Sequence, residues 1–339
     1  MYRCFLLTLL CLVTACGNRI ELTKLSGYAQ GSTYNITYQA PDGTDTTAVQ
    51  TAIHNEFARI DLALSNYRDD SALEQFNSQK TTEPLLVDAE LLYLVNTARH
   101  VHKASNGCYD LTIKPLFDLW GFKNDVFMPP EAAALAQTLE KVGMDKLESA
   151  GNSQLRKTLP SLRIDVSSIA QGYTVERIAQ ILESFKVENY MAEVGGELKV
   201  RGRKPDGKPW RIAIEKPLPG ERRLHKIVSF DNGEPMSLIA SGTYRHYFDQ
   251  DGKRYSHILD ARSGKPVEHD TVSVTVLHPD PTLADAWSTA LICLGTEHGL
   301  RVADSEGLAA LFIDQKGEEL RESASRAMRD ISGISFPEK

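Results

Sequence analysis

Asp285 and Thr289 stand four residues apart in Ala284-Asp285-Ala286-Trp287-Ser288-Thr289-Ala290, within a run whose apolar spacing predicts a helix from about Leu283 to Leu294. On a helix the two side chains project together, and a carboxylate beside a hydroxyl suits a hard, oxygen-loving cation such as Mg²⁺. An acidic residue at a helix start with a threonine bonded back to its own helix would give the same pair without a metal. A second segment, Arg163 to Tyr173, reads as a strand that stops on Asp165, Ser167 and Ser168 and opens into a helix bearing Gln171. Helix starts carry unpaired amides and a positive dipole end, so they bind anions readily. Three good capping residues explain that segment too.

Two further segments are richer in polar groups than packing requires. Ser241-Gly242-Thr243-Tyr244-Arg245-His246 and Tyr255-Ser256-His257-Ile258-Leu259-Asp260 read as strands joined through Asp251-Gly252, a strong hairpin signal. Pairing would bring Arg245 and His257 into one neighbourhood, where phosphate recognition becomes plausible; a solvated hairpin is the alternative. Ser105 to Thr112, with Cys108, Tyr109 and Asp110, leads into Pro115 to Phe122 and reads as a turn entering an aromatic core strand. No Walker A loop, Gly-x-Gly-x-x-Gly, Gly-x-Ser-x-Gly or His-Glu-x-x-His occurs.

The elements that must hold these groups alternate in period. Helical spacing marks Val49 to Leu64, Asp88 to His102 and Ser168 to Phe185. From Tyr190 onward short strands separated by Gly, Pro or Asp dominate, and helices near Leu283 to Leu294 and Glu297 to Asp304 precede a last strand at Ala309 to Ile313. No repeat or linker divides the chain, so one α/β or α+β domain is expected.

Composition narrows the function. The 339 residues are 42% hydrophobic, which excludes disorder, and 38 basic against 45 acidic residues leave a formal charge of -7 and no electrostatic reason to bind nucleic acid. Arg3 and the apolar run Phe5 to Val13 form a secretory signal too short to span a membrane. It closes on Val13-Thr14-Ala15-Cys16, which resembles a bacterial lipobox. Residues 1–15 are therefore expected to be removed, with Cys16 lipidated and 16–26 serving as anchor and tether to a domain at 27–339. The chain would then sit in the bacterial envelope, facing the periplasm and held by lipid, with the inner membrane favoured. Cys108 and Cys293 lie far apart in sequence, outside any Cys-x-x-Cys, and read as two core thiols.

In this order and with these spacings, the segments resemble the ApbE family of lipoproteins. The resemblance runs from Gly31-Ser32-Thr33-Tyr34 through Ile60 to Tyr67 and Phe76-Asn77 as far as Ser305. It is most specific at Asp165 to Tyr173, Glu193-Val194-Gly195-Gly196-Glu197, Ser241 to Arg245 with Ser256 to Asp260, and Ala284 to Ala290. It implies an α/β (α+β) sandwich without a Rossmann motif that takes FAD as bound substrate with Mg²⁺. The implied reaction cleaves the pyrophosphate, attaches FMN to a Ser or Thr hydroxyl of a target protein and releases AMP. Such targets include Na⁺-pumping NADH:quinone reductase and Rnf-type redox subunits. Carried over by position, the metal ligands fall on Asp285, Thr289 and the backbone carbonyl of Ser168. The FAD contacts fall on Gln30, Tyr67, Cys108, Tyr109, Asp110, Asp165, Gln171 and Leu259.

Gln30 stands where many relatives have Met, and Gln171 where Lys is frequent, which removes one cation near the diphosphate. His257 is the candidate to take the hydroxyl proton or hold phosphate, with Arg245 beside it and Asp260 to orient it. Water as acceptor would instead make a Mg²⁺-dependent FAD pyrophosphatase yielding FMN and AMP. A non-catalytic flavin-binding lipoprotein is the third reading.

Overall fold

Residues 21–122, 126–218, 223–250 and 252–337 are described by a computed structural model, so the secretory signal, Cys16 and Asp251 lie outside the described residues. Eight strands form the main sheet: β1 (Thr23–Ala29), β2 (Ser32–Gln39), β3 (Asn189–Val194), β4 (Glu197–Arg201), β5 (Met236–Gly242), β6 (Thr271–His278), β7 (Ala309–Lys316) and β8 (Glu319–Ala324). Their spatial order equals their chain order and every neighbouring pair is antiparallel. β1 begins inside the expected tether, so the ordered domain starts earlier than residue 27; its burial is too partial for a clear apolar alternation to have marked it.

Helices α1 (Thr46–Leu64), α2 (Ala89–Ala104), α3 (Lys114–Trp120), α4 (Ala170–Ser184) and α5 (Pro281–Glu306) fill the long connections. Strand period explains where the core sits. Ile239, Val274, Val276, Ala310 and Phe312 meet the helix-side core, while their chain neighbours Leu238, Leu277, Ala309 and Leu311 meet a second core on the opposite face. A three-stranded sheet (Trp210–Glu215, Leu224–Phe230 and Ile334–Ser335) covers that opposite face through Trp210, Ile214, Val228 and Phe230. Both faces of the middle strands are therefore largely buried, and the small polar residues Ser237, Ser273 and Thr275 are buried among their apolar ones. The sandwich expectation holds. α5 breaks at Gly295 (φ 70°, ψ 172°), matching the two helices expected there.

Two expected strands are absent. Arg163 to Val166 is extended but unpaired with any strand: the Asn77 side chain bonds both the N–H and the carbonyl of Ile164, and Asp165 N–H donates to the Leu111 carbonyl at 2.7 Å. Beyond Asp110 the chain forms a short 3₁₀ turn (Leu111–Ile113) and then α3, in place of an aromatic strand. Asp110 caps that turn, Pro115 sits in the first turn of α3 and Gly121 closes it at φ 79°, a start-and-stop pattern that outweighs aromatic content.

The starts of α4 and α5 touch at Gly172. A Cβ there would lie 2.2 Å from the Pro281 carbonyl oxygen and 2.6 Å from the Asp285 Cβ. Backbone cannot yield as a flexible side chain can, so Gly172→Ala should cost roughly 1–3 kcal/mol through overpacking. A lowered thermal unfolding midpoint is the expected result; an unchanged midpoint would show that the two helix starts separate freely.

Candidate functional site

The start of α4 has no side-chain cap, so Asp165, Ser167 and Ser168 are not its N-caps. The amide of Gly172 is one of the first-turn donors that a helix leaves without an intrahelical partner, and it donates to Asp285 Oδ2 at 2.8 Å. Ser168 precedes the N-cap residue Ile169, so its carbonyl lies outside the helical ladder. Thr289 is not bonded back to its helix as the metal-free reading required: its hydroxyl lies 3.4 Å from Ser241 Oγ, which also meets Ser288 Oγ at 2.7 Å. Asp285, Ser168, Thr289 and Ser241 all line one central cleft, with only oxygen donors among them. One carboxylate with carbonyl and hydroxyl oxygens, leaving room for phosphate, is a donor set that fits Mg²⁺.

Burial pushes the Asp285 carboxyl well above the usual carboxylate range. Glu197, at the start of β4, faces the same cleft and is pushed up by its burial and then by the nearby charge of Asp285. Two buried acids facing one cleft create a demand for a cation there. In sequence Glu197 is a lone acid after the Gly195-Gly196 turn, and such a residue carries no spacing signal that marks a site.

Tyr109, Asp110, Asp165, Gln171, Leu259 and Cys108 also line the central cleft. Tyr109 OH accepts from Ser168 Oγ at 3.1 Å, and burial raises its phenol, keeping it protonated. The Asp110 carboxylate clamps its surroundings: Oδ1 accepts from Thr112 N and Oγ1, and Oδ2 accepts from Met144 N at 3.0 Å with His102 Nδ1 at 3.4 Å. A second lobe adds Asn66, Tyr67, Lys114 and Phe122, and a third adds Gln30, Gly31 and Arg68. Ser167 and His257 line all three lobes, so the lobes form one branched groove with these residues at its junction.

Two buried polar atoms in the outer lobes lack protein partners. Asn66 Nδ2 donates to Asp165 Oδ1 at 3.0 Å while its Oδ1 is unpaired, and Gln30 Oε1 accepts from Thr174 while its Nε2 is unpaired. Groups left so are costly unless a ligand or water satisfies them.

His257 and Arg245 both reach the central lobe, although neither lies on the hairpin strands, which span Tyr247–Gln250 and Lys253–Ser256. His257 extends the ladder by one step: its N–H donates to the His246 carbonyl at 3.1 Å and its ring Nδ1 meets the same oxygen at 2.8 Å. The bond places the neutral ring's proton on Nδ1 and leaves Nε2 as acceptor. Burial pushes the imidazole down to about 4, against the opposing pull of the bond to the His246 carbonyl, while the charge of the His246 ring lowers it by a smaller amount. The His246 ring stacks on it at 5.4 Å and 27°.

Asp260 does not orient His257. Its carboxylate is held by Arg262 Nε at 2.8 Å and Nη2 at 2.7 Å, and it lies outside the three lobes. The expectation of two core thiols also fails: Cys108 and Cys293 form a disulfide across 185 residues of sequence. Linear spacing cannot reveal a pair that only the fold brings together.

The geometry has close counterparts. The ApbE family model matches residues 30–312. An FAD:protein FMN transferase of Vibrio cholerae is 38% identical over 94% of this chain and 96% of its own length, and one of Salmonella typhimurium is 36% identical over 87% and 85%. Among solved structures, the flavin transferase ApbE from Vibrio cholerae superposes with a TM-score of 0.83 at 37% identity, covering 91% of this chain and 98% of that one. The apo flavinyl transferase ApbE of Pseudomonas stutzeri gives 0.84 at 36%, covering 92% and 97%. A family match over most of the chain, relatives above 30% identity along nearly their whole length and the same fold together place this chain in the ApbE family.

Proposed function

We propose that this chain transfers the FMN half of FAD to a Ser or Thr hydroxyl of another protein, releasing AMP, with Mg²⁺ held by Asp285, Thr289 and the Ser168 carbonyl. The observation that carries the reading is the branched groove whose oxygen-lined arm and outer lobes meet at His257. A dinucleotide has two ring systems and a charged middle, and a branched groove can seat all three. The relatives named as FAD:protein FMN transferases support the same donor and acceptor class.

When bound, the cation neutralises charge on the diphosphate and on the departing phosphate. The chain's own residues do the rest. His257 Nε2 takes the acceptor's hydroxyl proton as that oxygen forms a bond to the FMN phosphorus. The phosphorus–oxygen bond to AMP breaks, and AMP leaves with the electron pair. The His246 carbonyl keeps the imidazole in the tautomer that can accept. Arg245 supplies positive charge at the edge of the cleft, close against Gly196, where a Cβ would lie 3.1 Å from its guanidinium. Gln30 Nε2 and Asn66 Oδ1 offer a donor and an acceptor to ring edges. In the cell the domain works at the periplasmic face of the envelope, tethered through lipid on Cys16.

Incubation of the chain with FAD, Mg²⁺ and an Na⁺-pumping or Rnf-type subunit should add the mass of FMN to a Ser or Thr peptide of that subunit. FMN and AMP release with no labelled peptide would favour the pyrophosphatase reading. Cys16→Ser should abolish incorporation of radiolabelled palmitate; equal labelling of variant and wild type would remove Cys16 as the anchor.

His257→Gln should lower transfer by roughly 10²–10⁴-fold, the usual worth of a general base, at nearly unchanged FAD affinity. Because the folded-state imidazole is pushed down to about 4, wild-type rate should hold from neutral pH down to about 5 and fall as His257 protonates. The variant should lack that limb, whereas an acid limb near 6.5 in the wild type would contradict the buried, neutral ring. Stability follows the same sign: the unfolded chain takes up this proton more readily, so the contribution of His257 is lost as pH drops from about 6.5 towards 4.

A further inference from the structure

The disulfide sits in the wall of the groove. Cys108 and Cys293 are both buried and both line the central lobe, and no bond made or broken in the proposed transfer involves their sulfurs, although the family resemblance counts Cys108 among the FAD contacts. The bridge ties the segment holding Tyr109 to the last turn of α5 before its break at Gly295, and α5 carries Asp285 and Thr289. Arg262 Nη2 donates to Cys108 Sγ at 3.4 Å while also bonding the Asp260 carboxylate, whose nearest oxygen lies within 4.8 Å of both sulfurs but makes no direct bond to either. A guanidinium beside a sulfur favours its thiolate and makes it the better leaving group.

We propose that the Cys108–Cys293 bridge is a redox-active latch, opened by a dithiol that enters through the groove and shielded when FAD fills it. A dithiol's thiolate attacks Cys293 Sγ, on the less buried of the two residues, and Cys108 leaves as a thiolate next to Arg262. The second thiol of the dithiol then resolves the mixed disulfide, so the chain gains two thiols and the reagent becomes a cyclic disulfide. Opening frees the Tyr109 segment from α5, and FAD affinity falls because the wall and the cation arm are no longer fixed to each other. The segment stays folded, since Tyr109 N–H still donates to Ser105 Oγ, its carbonyl still meets His102, and Asp165 N–H still bonds Leu111.

The inference rests on FAD occupying the groove, and linkage makes it doubly testable: whatever factor reduction takes from FAD affinity, FAD must impose on reduction. The full chain is equilibrated in dithiothreitol redox buffers with and without saturating FAD, and thiols are counted by alkylation and mass spectrometry. FAD binding to each form is followed by quenching of flavin fluorescence. Reduction should weaken FAD binding about tenfold, and FAD should shift the midpoint potential by the equivalent ~30 mV. Cys293→Ser should bind FAD as the reduced wild type does and ignore dithiothreitol. Equal FAD dissociation constants for the two wild-type forms, with an FAD-independent midpoint, would overturn the latch alone. Absence of FAD binding in both forms would overturn the reading of the groove and the latch with it.

Discussion

The hydrogen bond from Gly172 N–H to the Asp285 carboxylate holds the site together. It joins the starts of α4 and α5, the helices that approach the sheet from separate long connections, and it needs a glycine because their backbones touch there. It also satisfies one of the amides that the first turn of α4 leaves without an intrahelical acceptor, and it sets the Asp285 carboxylate at that helix start. One bond therefore caps a helix, fixes the crossing and assembles oxygen donors. The cost is a buried negative charge, increased by Glu197, and a divalent cation would offset it.

The opposite side of the groove is built on different physics. His257 sits one residue past a two-stranded hairpin, where the final backbone bond and the ring bond converge on one carbonyl of His246. Stacked rings and aromatic neighbours exclude water: Phe122 meets His246 at 5.7 Å and Phe248 at 5.1 Å. A neutral imidazole thus shares a groove with the oxygen-lined arm of Asp285, Ser168 and Thr289. In the proposed transfer the oxygen-lined arm would hold the cation and the hairpin arm would take the proton.

The helices, the middle strands and most of the groove residues were legible in the sequence because period and burial coincide there: α1, α4 and β6 each bury the residues their patterns mark. Asp285 and Thr289 were legible because helical spacing is a short-range signal. What stayed hidden depends on contacts distant along the chain. The Cys108–Cys293 bridge spans 185 residues, Gly172 is needed only because α5 crosses it, and Asp260 looked like a partner for His257 until Arg262 claimed both of its oxygens. The Arg163 to Val166 strand failed for the same reason: its alternation is real, but its partner is a side chain, Asn77.

Asp285→Asn separates the two duties assigned to this residue, because the amide oxygen can still accept from Gly172 N–H while the charge that holds a cation is gone. The decisive measurement is a Mn²⁺ titration of Asp285→Asn in the presence of FAD, with thermal unfolding followed on the same sample. A cation affinity at least tenfold weaker, in a protein whose unfolding midpoint stays near wild type, is the result this account predicts. Wild-type cation affinity in the folded variant would contradict it.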